Sequence, residues 1–114
     1  MESKVVDDPA SGRFEIVVDG AVAGIAEYRR TGSSVALTHT AVESRFEGHG
    51  LGSILARGAL DAIRAEGSTV LPFCPFIRDY IERHPAYLDL VPADQRARFH
   101  LAAAPTDGST DPDR

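Results

Sequence analysis

The run Glu47-Gly48-His49-Gly50-Leu51-Gly52 sets three glycines at alternating positions, between a strand-like and a helix-like segment. Glycines there let the chain turn tightly and let a ligand approach the backbone closely. The first N–H groups of the following helix have no partner within the helix and point outward. The helix dipole adds partial positive charge at the same end, which makes a seat for a phosphate or diphosphate. The plain alternative is a tight strand-to-helix turn and nothing more. The phosphate loop G-x-x-x-x-G-K-[ST] does not fit, because no lysine follows Gly52. The dinucleotide spacing G-x-G-x-x-G fails as well, since the glycines here read G-x-G-x-G. Cys74, the one thiol of the chain, and the imidazole of His39 are other side chains of a type that can act as nucleophile or base.

The surrounding elements set these residues in space. Phe14, Ile16 and Val18 alternate along one strand, and Val22, Gly24, Ala26 and Tyr28 along another. Asp19-Gly20 between them is a hairpin signal. A third strand fits Ser34 to Val42, after the turn residues Thr31-Gly32-Ser33. From Leu51 the apolar residues Leu51, Ile54, Leu55, Ala59, Ala62 and Ile63 take helical spacing, and Gly67 is placed to end that helix near Glu66. Thr69–Cys74 reads as a short buried strand. Pro75 starts a second helix whose apolar side runs through Phe76, Ile77, Tyr80 and Ile81 to His84, and Pro85 stops it. Residues 93–101 suggest one more short helix. The expected order is β-β-β-α-β-α, an α+β fold with a mixed, mostly antiparallel sheet and one right-handed β-α-β crossover.

The chain has 114 residues, enough for one domain. Residues 1–12 and 102–114 are rich in Asp, Pro, Ser, Gly and Thr and read as a flexible N-terminus and a disordered acidic tail, which leaves 13–101 as the domain. The net charge is −5, and the two ends hold most of it. The near-neutral body has no basic stripe, so nucleic acid is not an expected partner. No apolar run reaches the ~20 residues of a membrane span, and the polar start of the chain does not read as a signal peptide. One cysteine allows no internal disulfide, and the four histidines show no zinc spacing. The expected setting is a reducing cytoplasm.

Val42-Glu43-Ser44-Arg45-Phe46-Glu47-Gly48-His49-Gly50-Leu51-Gly52 resembles the acetyl-CoA loop of the GNAT superfamily of N-acetyltransferases, whose pattern is Q/R-x-x-G-x-G/A after a strand ending in Val. His39-Thr40-x-Val42, Pro72-x-Cys74-Pro75 and His84-Pro85-x-Tyr87 are similar to motifs of its compact, single-domain GNAT-like members, and the likeness spans residues 14–92. One departure is Glu47, which stands where Gln or Arg is usual; a register shifted to Arg45-x-x-Gly48-x-Gly50 restores the basic residue but loses the Val spacing. The resemblance implies a minimal GNAT fold with a splayed strand pair. It also implies that acetyl-CoA is held by Val42, Glu47, Gly48, His49, Gly50, Leu51 and Gly52, and that an amine of unidentified kind accepts the acetyl group. Pro72 fits a splay, because proline cannot donate to a sheet ladder.

Acetyl transfer to an amine requires a deprotonated amine, a polarised carbonyl and a protonated leaving thiolate. Cys74 ends the strand expected to flank the acyl arm, as an acid or an acyl acceptor, or as an inert buried thiol. His39 shares strand parity with Val35, Leu37 and Ala41, as a base or as a hydrogen-bonded histidine of a half-buried face. Glu43 reads as an exposed loop-edge carboxylate, His84 as a helix cap, and Tyr87 as a packing residue with a satisfied hydroxyl. With few elements left for an acceptor pocket, an acyl-CoA-binding module without catalysis is the second reading.

Overall fold

The structure is a computed structural model and describes residues 2–101. Five strands form one sheet in sequential order: β1 (Ser3–Asp8), β2 (Arg13–Val18), β3 (Ala21–Thr31), β4 (Ser34–Val42) and β5 (Thr69–Pro72). The first four pair antiparallel, and β5 joins β4 in parallel after the crossover helix α1 (Leu51–Ala65). Helix α2 (Pro75–Arg83) and a 3-10 segment at Pro85–Leu90 follow. The region 93–101, expected as a short helix, is a 3-10 turn at Ala93–Gln95 and further turns. The tail 102–114 lies outside the described residues.

Local chemistry accounts for most elements. Asp19 and Gly20 both take positive φ, 50° and 85°, and so close the β2–β3 hairpin with the twist its strands require. Phe14, Ile16 and Val18 point inward on β2, and α1 covers them with Leu51, Leu55, Ala56, Ala59, Leu60 and Ile63. Burying each large apolar side chain contributes about 1.5–3 kcal/mol. Ile54 and Ala62, expected on that stripe, face outward instead, and Ala56 and Leu60 take the inner positions. Pro75 occupies the first turn of α2, whose Ile77, Tyr80 and Ile81 are buried beside α1, β4 and β5. No helix among the described residues is long and apolar enough to cross a membrane.

The N-terminal segment corrects the expectation that residues 1–12 are flexible. Ser3–Asp8 is the edge strand of the sheet, in register with β2 from Ser3↔Val18 to Asp8↔Arg13. Its polar composition is that of an edge with one outward face. Tertiary contacts anchor it: the Tyr28 hydroxyl donates to Asp7 Oδ1 at 2.6 Å, Arg30 approaches the same carboxylate at 3.7 Å, and Arg30 also pairs with Glu66 beyond α1. Burial, then the neighbouring Asp7 carboxylate, raises the Tyr28 phenol above its ordinary range, while the Arg30 guanidinium holds the Glu66 carboxyl below the usual one.

Val5 of β1 also sets how closely α1 approaches the sheet. A Cβ added to Gly58 would lie 2.7 Å from the Val5 Cβ and 2.6 Å from its Cγ2. An exposed helix interior gains about 1 kcal/mol on Gly→Ala. At this contact Gly58→Ala is expected to destabilise the protein by about 1–3 kcal/mol through overpacking. The loss should shrink in a Val5→Ala background. Urea unfolding of both variants measures it, and a Gly58→Ala protein more stable than wild type would refute the close approach of α1 to β1.

Candidate functional site

The link from β4 to α1 is built to leave backbone donors free. A 3-10 turn at Ser44–Phe46 closes with Phe46 N–H to Glu43 O (2.9 Å) and Glu47 N–H to Ser44 O (3.1 Å). Gly48 (φ 88°) and Gly50 (φ 70°) then take left-handed conformations that other residues adopt only with strain, and both face open space. Gly50 caps α1 without a side-chain hydrogen bond, and the first helical bond runs from Ile54 N–H to Gly50 O. The N–H groups of Leu51, Gly52 and Ser53 have no acceptor among the described residues. They border a cavity of about 250 Å3 that also involves Val42, Phe46, Glu47, Gly48, Gly50 and Phe76.

Six of the seven residues expected to hold the cofactor therefore meet around one hollow; His49 is exposed and is not among its lining residues. Gly52 has a packing role as well: an added Cβ would meet the Phe76 ring at 2.9 Å. The glycine at 52 lets α2 close against the first turn of α1. Arg45 binds Glu43 (3.1 Å) and lies over the Phe46 ring (4.6 Å), so a cation stands in the same loop as Glu47. A larger hollow of about 520 Å3 joins the chain start to the Asp19–Gly20 hairpin. Size does not decide between the two, because the smaller one alone adjoins the free helix-start donors.

Beside the loop the sheet parts. β4 and β5 pair only from Ser34↔Thr69 to Leu37↔Pro72. Pro72 lacks an N–H, Phe73 N–H turns back to Leu71 O (3.0 Å), and Cys74 N–H to Leu37 O (2.8 Å) is the last link across. From Thr38 to Val42, β4 is paired with β3 alone. Cys74 is 4% exposed, and its thiol donates to Thr40 Oγ1 at 3.3 Å. Thr40 lies opposite the buried Ala26 of β3, on the side of the sheet that faces the core.

His39 corrects the strand-parity expectation. Tyr28 pairs with Leu37 and Glu27 with His39, so Thr38 is an extra residue in β4. This β-bulge turns the strand by one face. Val35 and Leu37 are buried, whereas Thr38, His39 and Ala41 are exposed. The His39 side chain therefore lies across the sheet from the core, opposite Glu27, at the point where β5 leaves. The bulge has no clear signature in the apolar pattern. Sequence reasoning gave Thr40, Ser53 and Phe76 no role at the site, because their places depend on contacts between distant elements.

The remaining candidates stay outside the gap. Glu43 is exposed and paired with Arg45. His84 caps α2, with Nδ1 at 2.8 Å from Tyr80 O and its ring stacked 4.0 Å from that of Tyr80. The Tyr87 hydroxyl donates to Asp61 Oδ1 at 2.7 Å, and Asp61 stands about 15 Å along the helix axis from Leu51. Among the described residues no cluster of His, Cys, Asp or Glu could hold a metal ion.

Comparison with known proteins agrees with this geometry. The profile of the GCN5-related N-acetyl-transferase family matches residues 13–90. Five solved chains match in structure. One is the NMR solution structure of a GCN5-like protein from Staphylococcus aureus, with a TM-score of 0.59 and 19% identity over 77% of this chain and 86% of that one. At that identity the likeness is one of fold. No curated protein matches the chain.

Burial first, then the Asp61 carboxylate, pushes the Tyr87 phenol up to about 12. Asp61→Asn is expected to bring that phenol down only part of the way, since burial remains. Ultraviolet titration against a Tyr87→Phe reference measures the change, and an unaltered titration would exclude the Asp61 contact as a cause.

Proposed function

The chain belongs to the GCN5-related N-acetyltransferase family, and on that footing we propose that it transfers the acetyl group of acetyl-CoA to an amine. The observation that carries this reading is the set of free N–H groups at the start of α1, opening beside a sheet that parts at Leu37. In this reading the diphosphate of acetyl-CoA rests on residues 48–52, where backbone dipoles and the helix end favour negative charge. Glu47 is exposed, and the backbone donors do not depend on its side chain. The pantetheine arm runs along the free edge of β4 from Val42, and the thioester enters the gap between β4 and β5. Backbone N–H groups of that edge are available to polarise its carbonyl.

The two faces of the gap then divide the proton transfers. On the outer face His39 takes a proton from the acceptor ammonium. The freed nitrogen attacks the acetyl carbon, the C–S bond breaks, and sulfur leaves as a thiolate. On the core side Cys74 is the donor that protonates it, its own thiol being held by Thr40 until the acyl arm arrives; the acylated nitrogen sheds its remaining extra proton to water to give the neutral amide, and the Cys74 thiolate regains a proton from solvent. The setting we propose is the cytoplasm, whose reducing conditions keep Cys74 a thiol. A second reading, an acyl-CoA-binding module, draws on the economy of the fold, which among its described residues has only two α-helices to shape an acceptor pocket.

Ser53 lies in the first turn of α1, exposed and beside the cavity. An acidic residue there favours the helix dipole, so Ser53→Asp should keep or raise thermal stability. The same charge opposes a bound diphosphate, and calorimetry should show CoA affinity falling at least about tenfold, or about 1.4 kcal/mol. Gly50 is a poorer probe, because any side chain at its φ of 70° strains the loop itself. Undiminished CoA affinity in Ser53→Asp would remove the diphosphate from this site. Free-thiol release from acetyl-CoA across a panel of amines separates enzyme from binding module. Cys74→Ala should lower kcat while leaving CoA affinity in place.

A further inference from the structure

We propose that the edge strand β1 pairs antiparallel with β1 of a second copy of this chain, joining two five-stranded sheets edge to edge about a two-fold axis. The inference stands apart from the acetyl-transfer reading, because β1 and the gap beside β5 lie at opposite edges of the sheet.

Only one side of the β1 backbone is used within the chain. Across β1–β2 the Asp19 N–H donates to Glu2 O at 3.3 Å, and across β2–β3 the Tyr28 N–H donates to Gly12 O at 2.9 Å. The direction of bonding alternates residue by residue along an antiparallel strand. The β1–β2 register is unbroken from Ser3 to Asp8, so Lys4, Val6 and Asp8 turn their N–H and C=O groups to β2. Ser3, Val5 and Asp7 turn theirs away from the sheet, where no other strand of the described residues pairs with them. Side chains alternate as well. Val5 packs on α1 beside Gly58, and Asp7 accepts from Tyr28 on that same face. Lys4, Val6 and Asp8 therefore lie on the face opposite α1.

Charge selects both the partner and the register. Two copies related by a two-fold axis through the sheet present the same edge to each other, and opposed side chains share a face. A pairing centred on Val6 sets Lys4 of each copy opposite Asp8 of the other, and it sets Val5 opposite Asp7 through their free backbone groups. Neither Lys4 nor Asp8 has an ion pair among the described residues. Other registers oppose like charges, which is unfavourable. Centred on Val5, Glu2 meets Asp8; centred on Lys4 or Asp7, that residue meets its own copy. The remaining charges nearby are engaged within the chain: Asp7 by Tyr28 and Arg30, and Arg13, in register with Asp8, by Glu15 at 2.9 Å. A lysine on a sheet edge commonly blocks pairing, but this symmetry lays it on an acid. A strand of 6 residues buries little area, so the dimer is weak and forms as concentration rises.

Sedimentation equilibrium of the full chain at low salt, over a range of concentrations, is expected to show monomer and dimer. The dimer fraction should fall as added salt screens the Lys4–Asp8 pairs. Because symmetry repeats each contact, Lys4→Glu or Asp8→Lys should raise the dimer dissociation constant about tenfold or more, and the double variant should return to within about threefold of wild type. Thermal unfolding of dilute, monomeric protein checks that all three variants keep the fold. Hydrogen exchange of the wild type reads the strand directly: the Val5 and Asp7 amides, free in the monomer, should slow as concentration rises. A chain monomeric at every concentration would overturn the pairing. So would a dimer indifferent to the single substitutions, one that the charge exchange fails to restore, or one whose Val5 and Asp7 amides exchange as they do in the monomer.

Discussion

The missing N–H of Pro72 is the constraint around which the structure is arranged. A parallel strand must exchange hydrogen bonds on its paired side to continue, and at Leu37↔Pro72 that exchange stops. Phe73 folds back on Leu71, Cys74 makes the last bond across, and Pro75 immediately begins α2. The chain therefore leaves the sheet at a point set by covalent structure. The vacated edge of β4 from Thr38 to Val42 opens toward the loop at Gly48–Gly52.

Close helix packing aligns that opening with the free donors of α1. Gly58 lets α1 settle against Val5, and Gly52 lets the Phe76 ring of α2 close on its first turn. Side chains at these positions would push both helices outward and shift the start of α1 away from the gap. The edge strand β1 takes part at a distance, because Asp7, Tyr28, Arg30 and Glu66 tie it to the far end of the same helix. The fold thus fixes α1 at both ends while leaving its first N–H groups without protein partners.

Polar chemistry is sorted by the two faces of β4. Thr40 and Cys74 meet on the core side, where a thiol is sheltered from water. His39 lies on the open side, exposed, at the register position opposite Glu27. A single inserted residue, Thr38, makes this division, since successive side chains of a strand point to opposite faces.

What the sequence alone determined follows from short-range chemistry. The Asp19-Gly20 hairpin, the start of α1 after alternating glycines and the proline-started α2 are each dictated by neighbouring residues, and the resemblance of residues 14–92 pointed to the family that the profile match establishes; the strand expected over Thr69–Cys74 stops instead at Pro72, which has no N–H to continue the ladder. Tertiary structure alone decided the rest. Ser3–Asp8 became a strand because β2, Tyr28 and α1 were there to receive it, which no local composition announces. His39 changed face because a bulge in one strand is defined only against the register of its partner. Gly58 and Phe76 acquired their roles from approaches between segments far apart in the chain, and such distances exist only once the chain has folded.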